Sequence, residues 1–263
     1  MQKLEAFRRY LERRAYSRHT VESYLRDLEQ FCQTLRGSLQ AVSRRQIDTF
    51  IDHQRTQELS SLTINRRLAA VKHFYQFLAD QADGVQENPV RRTHLLRRPR
   101  ALPRPFKESE LQQLFAVVRD LRDRAIFTLM LRAGLRVSEV AQLELDDVDL
   151  QAGTVLVRQG KGRRDRQVYL SADALELLRQ CLAQRPRMKT VRFFWNEKRK
   201  GENLSSKAIQ KAMERYCEKA GIKGSCHRFR HSFATQLLEN GAQLMTVRDC
   251  LGHSSIMGSV RTG

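Results

Sequence analysis

Histidine and arginine side chains are spaced for one helix face in the segment CHRFRHSFAT, residues 226–235. Arg230 lies three residues after His227, and His231 lies four residues after it. Side chains three or four residues apart lie next to one another on a helix. An arginine flanked by two imidazoles could hold a phosphate group, because a guanidinium donates paired hydrogen bonds to phosphate oxygens. A solvated basic helix face is the alternative, since runs of charge usually lie on the surface.

Three further residues could join such a site. Arg136 follows a glycine in AGLRVSE, where Glu139 could orient an arginine by carboxylate pairing; taken alone, this segment also fits the turn of a helix-turn-helix. Lys161 lies in GKGRRDR between two strand-like runs, which predicts a β-hairpin with this lysine near its tip. Taken alone, Lys161 would more often be an ordinary exposed hairpin lysine than a site residue. His253 in LGHSS could also belong to a capped surface turn.

Two cysteines near these histidines suggest a different kind of site. Cys226, His227, Cys250 and His253 are the ligand types of a zinc centre. However, consecutive side chains on a helix point about 100° apart, so Cys226 and His227 are poorly placed to share one ion. The sequence therefore favours a site without a metal.

The chain is basic along its whole length. Its 263 residues include 48 Lys and Arg against 29 Asp and Glu, a formal net charge of +19. Residues 1–105 and residues 106–263 share this excess almost equally, which excludes a basic tail at one end. Both halves are therefore expected to face the same polyanion, with double-stranded DNA as the partner.

Arginine and proline are concentrated between the two halves. Residues 91–105 hold six Arg, three Pro and no acidic residue. Because proline stops helices and stiffens the chain, we expect an extended basic linker at 89–107. A solvated linker is the alternative, but the dense charge favours contacts with a DNA backbone through four arginines: Arg97, Arg98, Arg100 and Arg104.

Compartment and membrane association follow from other features. No run of eighteen apolar residues occurs, so no membrane span is expected, and the first residues lack a signal-peptide core. The five cysteines are scattered and form no CxxC pair, which fits a reducing cytosol. The sequence therefore predicts a cytoplasmic protein.

Helical periodicity dominates the sequence. Residues 1–85 predict helices only, one of them opened by a capping box at Ser43 and Gln46. Strand patterns occur only at 154–158 and 167–170, on either side of the predicted hairpin turn. Further helices are predicted at 108–118, 121–133, 138–144, 172–183, 206–220, 228–239 and 243–251. The expected fold is therefore mainly α with a small antiparallel β-sheet.

The motifs GLRVSE, GKGRRDR, HRFRHSFAT and LGHSS, in this order, resemble the tyrosine recombinase (phage integrase) family, most closely its Xer-like branch. Residues 17–31 also resemble its core-binding helical domain, so the resemblance covers essentially the whole chain. It implies a two-domain C-shaped clamp around a duplex. The domains would be an N-terminal helical bundle at 1–88 (core-binding, SAM-like), the linker at 89–107, and a tyrosine-recombinase catalytic domain at 108–263, truncated at its C-terminus.

The resemblance also implies a role for each motif residue. Arg136 and Arg230 would clamp the scissile phosphate, and Lys161 would protonate the departing 5′ oxygen. His227 would act as the acid/base, and His253 would donate a hydrogen bond to the same phosphate. The implied function is site-specific DNA recombination and integration through a 3′-phosphotyrosine, with no cofactor and no metal. The implied partners include further copies of the chain, or partner recombinase subunits, assembled on DNA.

The nucleophile of the family is absent from its expected position. It is a tyrosine nine residues after the last histidine, and Thr262 occupies that place here. All six tyrosines lie earlier in the chain: Tyr10, Tyr16, Tyr24, Tyr75, Tyr169 and Tyr216. We therefore expect a defective recombinase that does not cleave DNA strands. A non-catalytic DNA-binding regulator that occupies recombination sites is the alternative.

Overall fold

The computed structural model of the chain describes residues 2–35, 39, 42–81, 87–97, 104–158, 165–197 and 202–252. Contacts within the chain divide it into two compact units, Met1–Ala101 and Leu102–Gly263. The described residues are mainly α-helical and carry one small antiparallel sheet, which confirms the predicted fold class.

The described part of the first unit contains four α-helices: α1 (Gln2–Arg13), α2 (Arg18–Thr34), α3 (Arg44–Thr56) and α4 (Ser61–Asp80). Serine side chains cap the starts of α2, α3 and α4, each by accepting a hydrogen bond from a first-turn N–H. The capping box predicted at Ser43 and Gln46 is confirmed. An aromatic core holds the helices together and includes the buried rings of Phe7, Phe31, Phe50, Phe74 and Tyr75.

The arginine- and proline-rich segment is not extended throughout its described part, contrary to the prediction. Arg92–His94 forms a 3-10 turn, and the His94 side chain is buried. The side-chain amide of Asn65, on α4, bonds Leu96 twice: it accepts from the backbone N–H at 2.9 Å and donates to the carbonyl at 2.8 Å. The stretch up to Leu96 therefore packs on the first unit, because its hydrogen bonds with the distant Asn65 and the burial of His94 outweigh the tendency of an arginine- and proline-rich segment to stay extended. Residues 98–103 lie outside the described part, and the domain boundaries stay predictions.

The second unit is built from helices around one small sheet. The α-helices in its described part are α5 (Glu108–Val117), α6 (Leu121–Arg132), α7 (Val137–Gln142), α8 (Ala172–Ala183), α9 (Ser206–Lys219), α10 (Cys226–Glu239) and α11 (Leu244–Leu251). Each of these helices agrees with a predicted one to within two residues at either end. The apolar α6 lies at the centre of this unit, with α8 and α10 as its main neighbours.

Three strands form the sheet in the order β1–β2–β3: β1 (Val148–Asp149), β2 (Thr154–Val157) and β3 (Arg166–Tyr169). β2 and β3 pair antiparallel, with Val157 opposite Arg166, and are the two strands that the sequence predicts. β1 was not predicted, because two residues are too short to show the alternation that marks a strand. Arg166 is the first residue of β3.

None of the helices in the described residues combines the length and the apolar character that crossing a bilayer requires.

Candidate phosphate-binding site

The turn between α6 and α7 positions Arg136, and it requires the glycine at position 134. Gly134 has a φ of +63°, a conformation that costs other residues about 1–2 kcal/mol. A Cβ atom on Gly134 would also lie 2.3 Å from Cδ1 of Phe233 on α10. The backbone can therefore approach α10 this closely only without a side chain. Arg136 follows two residues later as the N-cap residue of α7.

Glu139 holds Arg136 in place. Its carboxylate accepts a hydrogen bond from the backbone N–H of Arg136 at 2.7 Å and another from Nη1 at 2.6 Å. Burial alone would raise the pKa of Glu139, but the hydrogen bonds and charges of Arg166 and Arg136 outweigh it and lower the pKa to about 2. Glu139 is therefore ionised at neutral pH, and its predicted pairing with an arginine is confirmed.

Arg230 lies on α10 and is only 4% exposed. Its guanidinium donates to the carbonyl oxygens of Gly134 and Leu251, so it links the α6–α7 turn to the end of α11. Burial lowers the pKa of Arg230, and the positive charge of Arg136 lowers it further. Two guanidinium groups thus lie close together where water is partly excluded, an arrangement that a bound anion would stabilise.

His227 and His231 lie one turn apart on α10, with their ring centroids 4.5 Å apart and their ring planes at 82°. Partial burial lowers the pKa of His227, and the charges of Arg230 and Arg136 lower it further. Burial also lowers the pKa of His231, with added contributions from His227 and Arg230. Both imidazoles therefore favour the neutral form, in which one ring nitrogen donates a hydrogen bond and the other accepts one.

Arg136, His227 and Arg230 line a single cavity of about 500 Å³. The rest of its wall comes from α6, α7 and the turn between them, from α9, and from the residues that lead into α10: Met130, Leu135, Val137, Ser138, Gln210, Glu214, Gly224, Ser225 and Cys226. The fold thus brings together residues that lie far apart in the sequence. Two guanidinium groups and an imidazole can direct several N–H donors at one tetrahedral anion, so this cavity is suited to a phosphate group.

The C-terminal end of α11 packs against Arg136, Arg230 and a third arginine, Arg166. Three consecutive carbonyls accept hydrogen bonds from them: Cys250 from Arg166 at 3.0 Å, Leu251 from Arg230, and Gly252 from Arg136 at 3.3 Å. Helix C-termini carry partial negative charge, which guanidinium groups stabilise. Gly252 ends the helix in the left-handed conformation.

Other predicted site residues do not line this cavity or are not described. The predicted residues Lys161, His253, Arg98 and Arg100, together with Thr262 at the expected nucleophile position, lie outside the described part of the chain. Arg97 and Arg104 are described and exposed, and neither lines the cavity. Their suggested contact with a DNA backbone therefore stays a prediction.

Arg166 belongs to the cluster although the sequence analysis does not single it out. It donates to both carboxylate oxygens of Glu139, at 2.9 and 2.7 Å. In the sequence it is the last of three arginines in GKGRRDR, and its residue type does not distinguish it from the other two. Its position opposite Val157 at the start of β3 is what directs it to Glu139, and only the strand register reveals that position.

Arg228 shows that not every arginine of the HRFRHSFAT motif serves the cavity. Its guanidinium donates to the Glu110 carboxylate at 3.1 and 2.6 Å and to the carbonyl of Pro105 at 2.9 Å. It also lies 4.0 Å from the centroid of the Phe106 ring, within range of a cation–π contact. These contacts fasten the start of the second unit onto α10, so Arg228 is a structural residue.

The cysteine beside His227 is poorly suited to bind zinc. Cys226 is buried, and this burial raises its pKa to about 12. Zinc binds the thiolate, which is scarce at neutral pH when the pKa is so high. Across the part of the chain that the structure describes, no group of three or more His, Cys, Asp or Glu side chains is arranged to hold a metal ion.

Comparison with known proteins adds independent information. Residues 104–260 match the phage integrase family, and residues 4–82 match the phage integrase N-terminal SAM-like domain. The chain is 32% identical over 257 residues to tyrosine recombinase XerA of Thermococcus kodakarensis, covering 96% of this chain and 87% of that protein. It is also 32% identical over 276 residues to tyrosine recombinase XerC of Lacticaseibacillus casei, covering 97% and 91%.

Solved structures agree in fold. A crystal structure of a lambda integrase dimer bound to a COC′ core site matches with a TM-score of 0.79 at 17% identity, covering 97% of this chain and 92% of that one. Matched by family models over both of its units and by Xer recombinases along nearly its whole length, the chain belongs to the phage integrase family of tyrosine recombinases, in its Xer-like branch.

Proposed function

We propose that this chain binds duplex DNA for site-specific recombination and holds one backbone phosphate between Arg136, Arg230 and His227. The observation that carries the proposal is the convergence of these three residues on one cavity. A protein that bound DNA only through its net charge would have no need to bury Arg230 beside Arg136.

The known relatives and the charge of the chain support DNA as the partner. The matched XerA and XerC proteins are named tyrosine recombinases, and the matched lambda integrase is a dimer bound to a COC′ core site. The net charge of +19 favours a polyanion. We further propose that copies of the chain, or related subunits, assemble on DNA. Five free cysteines fit a reducing compartment, so we place the protein in the cytoplasm.

Arg136, Arg230 and His227 each have a proposed task. Arg136 and Arg230 would neutralise the phosphate and stabilise the charge that develops during strand exchange; one such donor is worth roughly 3 kcal/mol in other enzymes. His227 would exchange a proton with the reacting oxygen, a task that suits an imidazole because its neutral form can accept a proton and its charged form can donate one. Lys161 and His253, by resemblance, would complete the set.

We also propose that these 263 residues do not form the phosphotyrosine bond by themselves. Thr262 occupies the nucleophile position of the family. Tyr216 is no substitute: it is buried, it donates a hydrogen bond to Asp123 at 3.1 Å, and its pKa is raised to about 12 by burial and by the charge of Asp123. A phenol so held is neither accessible nor easily ionised.

DNA affinity tests the phosphate site. Arg230→Ala is expected to weaken binding to a labelled duplex by about 1.5–3 kcal/mol, roughly tenfold to a hundredfold, as measured by fluorescence anisotropy. Arg136→Ala added to it should cost little more, because the two arginines share one ligand. Arg119→Ala, which removes an exposed arginine of the same unit, is the matched control. Small, equal and additive losses at all three positions would mean that no shared phosphate site exists.

Strand cleavage separates the two functional alternatives. A nicked duplex that traps covalent intermediates should give no protein–DNA adduct with the 263-residue chain on a denaturing gel. A chain extended with a family-like tyrosine helix should give one, and Arg230→Ala should abolish it. Failure of the extended chain to form an adduct would favour the regulator that occupies recombination sites.

A further inference from the structure

Arg166 lies in a basic hairpin, but its side chain donates hydrogen bonds to Glu139 and to the end of α11, which support the phosphate site. Its side chain is 10% exposed, and that of its partner Glu139 is 8% exposed. The two groups meet through two parallel hydrogen bonds, at 2.9 and 2.7 Å. Such a bidentate pair has a fixed geometry, because the guanidinium is planar and its donors match the carboxylate oxygens.

The same side chain reaches a second structural element. Its Nε donates to the carbonyl of Cys250 at 3.0 Å, in the last turn of α11. It also packs closely against Gly252, where an added Cβ atom would lie 3.1 Å from its Nη1. Arg166 therefore fixes α7, through Glu139, and α11 relative to the start of β3.

Arg166 is unlike Arg136 and Arg230 in one respect: it does not line the cavity. Each of its three nitrogens already donates to a protein oxygen. Its geometry therefore suits an action on other residues rather than direct contact with a ligand.

We propose that Arg166 is a positioning residue of the phosphate site. It shares Glu139 with Arg136, so it sets where the Arg136 guanidinium lies, and it fixes the end of α11, from which the chain continues to His253. Because Arg166 is the first residue of β3, it also links the strand that follows Lys161 in the sequence to Arg136 and Arg230. This inference rests on the function proposed above.

A double-mutant cycle tests whether Arg166 acts through Arg136. Arg166→Met should weaken duplex binding about tenfold in the unaltered chain, a size typical of coupled neighbours. In the Arg136→Ala background the same substitution should weaken binding twofold or less, since the group that it positions is gone. Arg166→Lys keeps the charge and one hydrogen bond, so its affinity should fall between those of the unaltered chain and Arg166→Met.

Arg158→Met is the matched control. Arg158 lies just after β2 on the other arm of the same hairpin and pairs with the buried carboxylate of Asp147. This variant therefore removes the same charge and also leaves a buried acid without its arginine, but it does not touch Glu139. It should lower thermal stability to a similar degree while leaving duplex affinity within twofold.

A second readout reports on position rather than stability. The charge of Arg136 contributes to the lowered pKa of His227. In Arg166→Met, Arg136 is the arginine that remains to offset the charge of Glu139, so less of its positive charge acts on His227. An NMR titration should therefore show the pKa of His227 rising in Arg166→Met. The same pKa should not move in Arg158→Met. Equal losses of affinity in both backgrounds, with an unmoved His227, would overturn the proposal. If Arg136→Ala itself leaves affinity unchanged, the phosphate site is refuted, and the positioning role with it.

Discussion

Three arginines and Glu139 carry most of the charge around the cavity, whose wall also includes the exposed carboxylate of Glu214. Arg136, Arg166 and Arg230 lie around Glu139, whose pKa of about 2 keeps it ionised at any working pH. These described residues therefore keep an excess of positive charge in a partly buried region, where interactions between charges are stronger than in water. Burial lowers the pKa of His227, and the charges of Arg230 and Arg136 lower it further, so this pKa should rise when an anion binds between the two arginines.

Phosphate binding should therefore be linked to proton uptake. A phosphate between Arg136 and Arg230 offsets their charges, so the pKa of His227 rises on binding and the complex holds more protons than the free protein. Duplex affinity should then increase as pH falls from the pKa of His227 in the complex towards its lowered pKa in the free protein, by at most tenfold per pH unit for one proton. Calorimetry in two buffers of different ionisation enthalpy measures the uptake directly.

His227→Gln should remove most of this uptake, whereas His53→Gln, at an exposed site on α3, should leave it intact. Uptake that persists in His227→Gln would assign the proton to another group. The stability of the free protein should change with pH in the opposite sense to its duplex affinity. Because folding lowers the pKa of His227 and His231, the free energy of unfolding decreases as pH falls from about 6.5 towards the lowered values.

The elements around the site are held by close backbone approach as much as by side chains. The α6–α7 turn touches α10 at Gly134, and Arg230 bonds the carbonyl of that same glycine. The end of α11 is held by the arginines through its last carbonyls. A change in any of these three elements should therefore be felt at the cavity.

Gly134→Ala should be severely destabilising. The substitution combines a positive φ with a Cβ placed 2.3 Å from Phe233, so we expect a loss of about 2–4 kcal/mol in the free energy of unfolding. Gly221→Ala is the control, because Gly221 also has a positive φ, +66°, but nothing lies within 4 Å of its Cβ position. It should cost about 1–2 kcal/mol. Equal losses in urea denaturation would show that the contact with Phe233 carries no weight.

How far the sequence predicts this framework depends on the range of the signal. The helix at 172–183 was predicted to the residue, because apolar periodicity and a clear start are local. The grouping of His227 and His231 around Arg230 is also local. The pairing of Arg166 with Glu139 depends on strand register and on the packing of β3 against α7, and no pattern within one segment encodes either. The turn at Arg92–His94 was missed because Asn65, far away in the sequence, supplies its neighbouring hydrogen bonds.

At the scale of the whole molecule, positive charge is spread over both units, and it is dense in the arginine- and proline-rich residues 91–105, which span the boundary between them. The net charge of +19 is not confined to the cavity, which holds two arginines and one histidine of the predicted set. Most of the affinity for DNA should therefore come from phosphate contacts elsewhere on the surface, while the cavity serves one phosphate.

Salt dependence measures the number of those contacts. Because each neutralised phosphate releases counterions, the logarithm of the duplex affinity should fall linearly with the logarithm of salt concentration, with a slope of about −5 to −10. Replacing Arg97, Arg98, Arg100 and Arg104 together with Ala should make the slope shallower by about 3–4. The control removes four basic residues that are exposed in the second unit, namely Arg119, Arg179, Arg187 and Lys189. If both quadruple variants change the slope equally, the intervening segment contributes only net charge and does not follow the DNA backbone. A slope near zero in the unaltered chain would remove DNA as the partner altogether.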